Sequence, residues 1–127
     1  MILTGSNEFK KIKDSIPLGV NLLAVSKGHK HDSIRKLSGY GQLDFGESRL
    51  QEAILKKIDL SDLTQLRWHF VGTLQKNKVR RVIKEFDFIH SVDSLPLLER
   101  ISRISQEEQK RFNYRQTREV DDFVYGS

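Results

Sequence analysis

A lysine closes a short apolar run near the start of the chain. Leu22-Leu23-Ala24-Val25-Ser26-Lys27 lies between Gly19 and Gly28. A run of about four to eight apolar residues between turn signals suits a strand buried on both faces of a parallel sheet. An amine at the C-terminal mouth of such a strand stands on the rim where α/β folds place their chemistry. Partial desolvation disfavours the ammonium form, so Lys27 could attack an aldehyde and form a Schiff base. Taken alone, the stretch reads as a strand that ends in a surface lysine. The order of motifs further along the chain changes that reading.

Other residues could carry chemistry. His69 alternates with Trp68 and Phe70 and is read as a structural histidine in a packed strand rather than one pointing into a barrel mouth. His29 and His31 flank Lys30 on a loop, and with His69 and His90 they show no metal-ligand spacing. Gly72-Thr73 precedes a helix start and could cradle an anion, although a plain strand-to-helix turn explains it equally well. The basic run Lys76, Lys78, Arg80, Arg81 and Lys84 could track nucleic-acid phosphates. Apolar core rather than a stacking aromatic is interleaved with it, so a solvated helix face is the better reading.

These residues need elements to position them. Ser6 and Asn7 cap a short helix with Phe9, Ile12 and Ile16 at helical spacing, halted near Pro17. After the Leu22–Lys27 strand, Asp32 caps a helix carrying Ile34 and Leu37, closed by Gly39 and Gly41. The strand Leu43-Asp44-Phe45-Gly46 leads into a helix opened by a Ser48/Gln51 capping box. That helix puts Leu50, Ala53, Ile54 and Ile58 on one face and turns Lys56 and Lys57 outward. Arg67 to Val71 forms a third strand stopped by Gly72, followed by a helix with Val79, Val82, Ile83 and Phe86 inward. Phe86 to Val92 is a fourth strand, and Ser94 caps a last helix with Leu97, Leu98, Ile101 and Ile104 inward. Four strands, each followed by a helix at short spacing, imply right-handed crossovers and a parallel sheet. Residues 1–110 are therefore one α/β unit. Residues 111–127 (RFNYRQTREVDDFVYGS) keep neither period, and read as irregular: either a disordered tail or a non-native end from a shifted reading frame or a fragment.

Composition narrows the class. At 127 residues, with 31% charged and 37% hydrophobic, the chain is one globular domain or part of one. The absence of cysteine excludes disulfides, thiolate metal sites and cysteine nucleophiles. No segment has membrane-spanning length and the start lacks the apolar core of a signal peptide, so a cytoplasmic location is expected. The formal charge of +5, 22 Lys and Arg against 17 Asp and Glu, suits anionic partners without selecting one.

Four motifs occur in a telling order. They are Leu23-Ala24-Val25-Ser26-Lys27, Phe45-Gly46-Glu47-Ser48 with Gln51-Glu52, Trp68-His69-Phe70-Val71-Gly72-Thr73-Leu74-Gln75-Lys76-Asn77-Lys78, and His90-Ser91-Val92-Asp93. From about Asn21 to Gln109 the chain resembles the pyridoxal phosphate homeostasis protein family, whose fold is similar to the N-terminal barrel of alanine racemase. The resemblance implies a (β/α) barrel with parallel strands, of which four of the eight units are visible here. It also implies that Lys27 holds pyridoxal 5'-phosphate as an internal aldimine. Ser48 stands where the family usually has Asn, which keeps a good N-cap but loses any amide contact near the cofactor. The family's phosphate-binding serine and glycine segments, and its arginine facing the pyridine nitrogen, have no counterpart here, so impaired holding of the cofactor is expected.

By resemblance, the expected role is to buffer pyridoxal phosphate and deliver it to recipient apoenzymes, without a defined turnover reaction. An amino-acid racemase-like enzyme is the rival reading. It requires acid/base groups on both faces of the substrate carbon, and the racemase family takes one of these from a second domain not seen here. A basic nucleic-acid-binding fragment is the third.

Overall fold

Each strand pairs with the next one in the chain. The computed structural model describes residues 6–18, 20, 22–26, 30–108 and 113–116. Strands β1 (Ala24–Val25), β2 (Asp44–Glu47), β3 (Arg67–Phe70), β4 (Phe88–Val92) and β5 (Asn113–Gln116) form one sheet in the order β1-β2-β3-β4-β5. All four pairings are parallel. The helices are α1 (Ser6–Asp14), α2 (His31–Gly39), α3 (Leu50–Asp59), α4 (Val79–Glu85) and α5 (Leu95–Glu107), with a 3-10 turn at Lys76–Lys78 before α4. A sequential strand order joined by right-handed crossovers places the connecting helices on one face, as in the wall of a (β/α) barrel.

Strand alternation separates the two faces. Phe45 registers with Trp68 and Phe70 with Ile89. These four side chains pack with Ile34, Ala53, Val79, Val82, Ile83, Ile101 and Ile104 into the core beneath the helices. Asp44, Gly46, His69 and Phe88 have the opposite parity, with Gly46 registered to His69 and His69 to Phe88. This second face corresponds to a barrel interior, and it is polar.

The expected elements are present with shifted ends. Ser94 caps α5 as its sequence suggests, its hydroxyl accepting from the Leu97 amide at 3.3 Å. Two other caps differ. Lys30 occupies the cap position of α2, and Asp32 sits in the first turn, where its charge faces the positive helix end. Arg49 occupies the cap position of α3 without a side-chain bond, because the helix starts at Leu50 and leaves Ser48 in the preceding loop. The turn after α2 passes through Gly41 at φ 104°, a left-handed conformation that glycine adopts without a Cβ penalty.

The first strand is not buried on both faces. It is two residues long, pairs with β2 alone among the described residues, and leaves Val25 47% exposed. In α3, Lys56 is buried and Ile58 exposed, the reverse of the expected stripe. The buried line runs Ala53, Lys56, Leu60, and Ile58 lies about 200° around the helix from Lys56. Beyond the four β/α units, β5 falls within the interval 111–127, which shows no strand period. A parallel edge strand is held by main-chain hydrogen bonds, which need no apolar alternation. No helix among the described residues is long and apolar enough to cross a membrane.

Candidate functional site

The C-terminal end of β1 is held by a charged clamp. The Ser26 amide donates to the Gly46 carbonyl at 2.9 Å, and its hydroxyl donates to Glu47 Oε2. From α3, Lys56 Nζ donates to the Ser26 carbonyl at 2.7 Å and to Glu47 Oε2 at 2.9 Å. All three side chains are buried. Glu47 reaches this position because it shares the parity of Phe45, which faces the helices. A buried charge is costly unless paired and hydrogen-bonded. The ammonium and the serine hydroxyl meet that need at Oε2, whereas Oε1 is buried with no partner among the described residues. Lys27, the expected cofactor residue, follows Ser26 directly in sequence and lies outside the described residues, as does His29.

A second network lines the opposite face. Arg67 grips Asp44 with two parallel bonds, Nε to Oδ1 and Nη2 to Oδ2, both 2.7 Å. His69 Nε2 lies 2.9 Å from Asp44 Oδ1, and His69 Nδ1 lies 2.9 Å from His90 Nε2. An ionised carboxylate only accepts, so His69 Nε2 carries a hydrogen and donates to Asp44. In neutral His69 the Nδ1 then accepts, and His90 Nε2 donates to it. The His69 ring also stacks on Phe88, centroids 4.2 Å apart and planes 5° apart. His69 is thus packed, as expected, and its parity also places it on the barrel-interior face.

Gly72 makes the loop after β3 possible. A Cβ there would lie 2.5 Å from the Ser48 carbonyl oxygen and 3.0 Å from Ser48 Cα. The rim loops after β2 and β3 therefore meet backbone to backbone, which accounts for this glycine without an anion. His31 is engaged by Asp59 at 2.6 Å, and no group of three or more potential metal ligands occurs among the described residues. The basic face of α4 is largely neutralised: Arg80 bonds Glu108 at 2.6 Å, Arg81 meets Glu85 at 3.1 Å, and Lys84 approaches Glu108 at 3.8 Å. That pairing weakens the nucleic-acid reading.

Sequence reasoning missed the Ser26–Glu47–Lys56 clamp. Local pattern carried no signal for it: that Lys56 lies on the buried line of α3 and Glu47 on the helix-facing parity of its strand follows only from the burial and register of the assembled sheet.

The parallel wall and its polar inner face define part of a (β/α) barrel with its rim at the ends of β1 to β3. No family model matches the chain. Two curated relatives, both named pyridoxal phosphate homeostasis protein, are similar to it. The one from Synechocystis is 40% identical over 99 residues, 78% of this chain and 45% of the relative. The one from Pseudomonas aeruginosa is 45% identical over 86 residues, 68% of this chain and 37% of the relative. The solved structure of PipY from Synechococcus elongatus with PLP bound superposes with a TM-score of 0.87 at 40% identity, covering 92% of this chain and 55% of PipY. Alanine racemase from Clostridium difficile superposes at TM-score 0.65 and 19% identity over 85% of this chain and 29% of the racemase, a likeness of fold alone. The chain is homologous to part of the pyridoxal phosphate homeostasis proteins, and it spans less than half the length of the curated relatives it matches.

Proposed function

We propose that this chain binds pyridoxal 5'-phosphate and carries it covalently on Nζ of Lys27, as part of a cytoplasmic protein that holds the cofactor and passes it to recipient apoenzymes. The observation that carries the reading is the likeness to PipY, solved with PLP bound, over 92% of this chain. The site's own chemistry agrees with it. The clamped Ser26 at the end of β1 directly precedes Lys27 in sequence, at the rim where barrel folds keep their ligands. The amine would add to the cofactor's aldehyde, a C=N bond would form, and the aldehyde oxygen would leave as water. When bound, pyridoxal phosphate can act as an electron sink. For holding and delivery, that capacity is not drawn upon. The racemase-like alternative has only the fold likeness to support it.

The test is chemical trapping. The protein is incubated with pyridoxal phosphate, the C=N bond is reduced with borohydride, and the labelled peptide is mapped by mass spectrometry. Label concentrated on Lys27, and lost in Lys27→Ala, is the expected result. Label spread evenly over Lys10, Lys30 and Lys56 would overturn the assignment.

A further inference from the structure

We infer that Glu47 and Lys56 are positioning residues for Lys27, acting through Ser26; this rests on the cofactor-carrying reading of Lys27 given above. The ladder alone holds β1 poorly. Only Ala24 and Val25 pair with β2, and Val25 is 47% exposed. A two-residue strand with one described neighbour has few main-chain bonds to fix the direction of the chain that leaves it.

Ser26 supplies what the ladder lacks. Its amide, carbonyl and hydroxyl are all engaged, by the Gly46 carbonyl, Lys56 Nζ and Glu47 Oε2 respectively. The Lys56–Glu47 bond at 2.9 Å ties the last two partners to each other. The result joins β1, β2 and α3 at one buried point. The carbonyl held by Lys56 belongs to the peptide unit whose nitrogen is that of Lys27. A planar peptide held at its oxygen is held as a plate, so the clamp acts on the peptide unit by which the chain leaves Ser26.

The choice of a buried ion pair supports this role over bulk stability. Two well-packed apolar side chains often serve stability as well or better than a buried pair of charges. Glu47 Oε1 has no partner among the described residues, so part of the desolvation cost stands unrecovered. An apolar pair could not hold a serine carbonyl and hydroxyl at the same time. This pair does both.

The experiment compares the full chain with Glu47→Gln/Lys56→Met, which removes both charges together, with Lys56→Arg, which keeps the cation, and with Lys56→Gln, which releases the Ser26 carbonyl. Each is exposed to limiting pyridoxal phosphate, trapped with borohydride over time, and mapped, with circular dichroism and urea unfolding run in parallel. A misplacement on the ångström scale should slow labelling of Lys27 by about tenfold to a hundredfold in the folded double variant. Labelling of Lys10 and Lys30 should be unchanged, and Lys56→Arg should recover most of the Lys27 rate. A purely structural role would move the urea midpoint without this selectivity. Wild-type labelling of Lys27 in the folded double variant overturns the inference, as does wild-type labelling in Lys56→Gln, whose shorter side chain gives up the Ser26 carbonyl, should the double variant unfold. Absence of label from Lys27 in the wild-type chain overturns instead the reading of the site, and this inference with it.

Discussion

His69 and His90, on neighbouring strands, share a hydrogen bond between Nδ1 and Nε2 at 2.9 Å, while the far nitrogen of His69 is held by Asp44. The two imidazoles cannot both place a hydrogen on the facing nitrogens. The bond to Asp44 therefore fixes the tautomer of His69, and His69 fixes that of His90. Arg67 completes the line by gripping Asp44 with two bonds.

His69→Phe tests the worth of that line. The substitution keeps a ring over Phe88 and removes both hydrogen bonds from a side chain that is fully buried. Removing two hydrogen bonds from a buried site should cost about 1–3 kcal/mol. Urea unfolding monitored by Trp68 fluorescence measures it. An unchanged midpoint would show that the network contributes nothing net.

Gly72→Ala should destabilise the rim by strain. The added methyl would stand 2.5 Å from the Ser48 carbonyl oxygen, and both contacting groups are backbone, so relief requires moving a loop. A cost of about 1–3 kcal/mol is expected, typical of overpacking. Gly39→Ala is the control, because a Cβ there meets nothing within 4 Å. Equal melting temperatures for the two variants would refute the steric account.

Acid should weaken two bridges between elements. The hydrogen bond from Arg35 holds the Asp62 carboxyl below its ordinary value, and the one from Arg80 does the same for Glu107. A carboxylate whose folded value is depressed contributes stability that is complete above its unfolded value. The contribution is lost as pH falls through the folded value. Both groups lie on the surface, so the effect is modest and screened by salt. The urea midpoint should fall below the ordinary carboxylate range, about pH 4, and Asp62→Asn/Glu107→Gln should flatten that fall. The same pH slope in the double variant would rule these carboxyls out as its source.

Much of the wall was legible in the residues themselves. Ser94 ahead of Leu97, Ile101 and Ile104 marks a capped amphipathic helix, and α5 is that helix. The alternation around Trp68, His69 and Phe70 marks a strand, and β3 is that strand. The order of four motifs pointed to the family, and Lys27 came from that likeness. These features are local, because a period or a cap is written in neighbours within one or two turns.

Tertiary structure alone decided what faces what. Lys56 is a charge on a helix surface by every local rule, and only the arrival of Glu47 and Ser26 at the same point makes its burial tolerable. His69 reads as core from its apolar neighbours, yet its own parity turns it toward Asp44 and His90 on the other face. Gly72 looks like an ordinary turn until Ser48 closes on it. The strand Asn113–Gln116 has no pattern of its own and exists through the edge of β4. Local periodicity says which side chains of one element share a face. Charge pairing, close backbone approach and edge pairing depend on distances between elements, which are set only when the sheet is assembled.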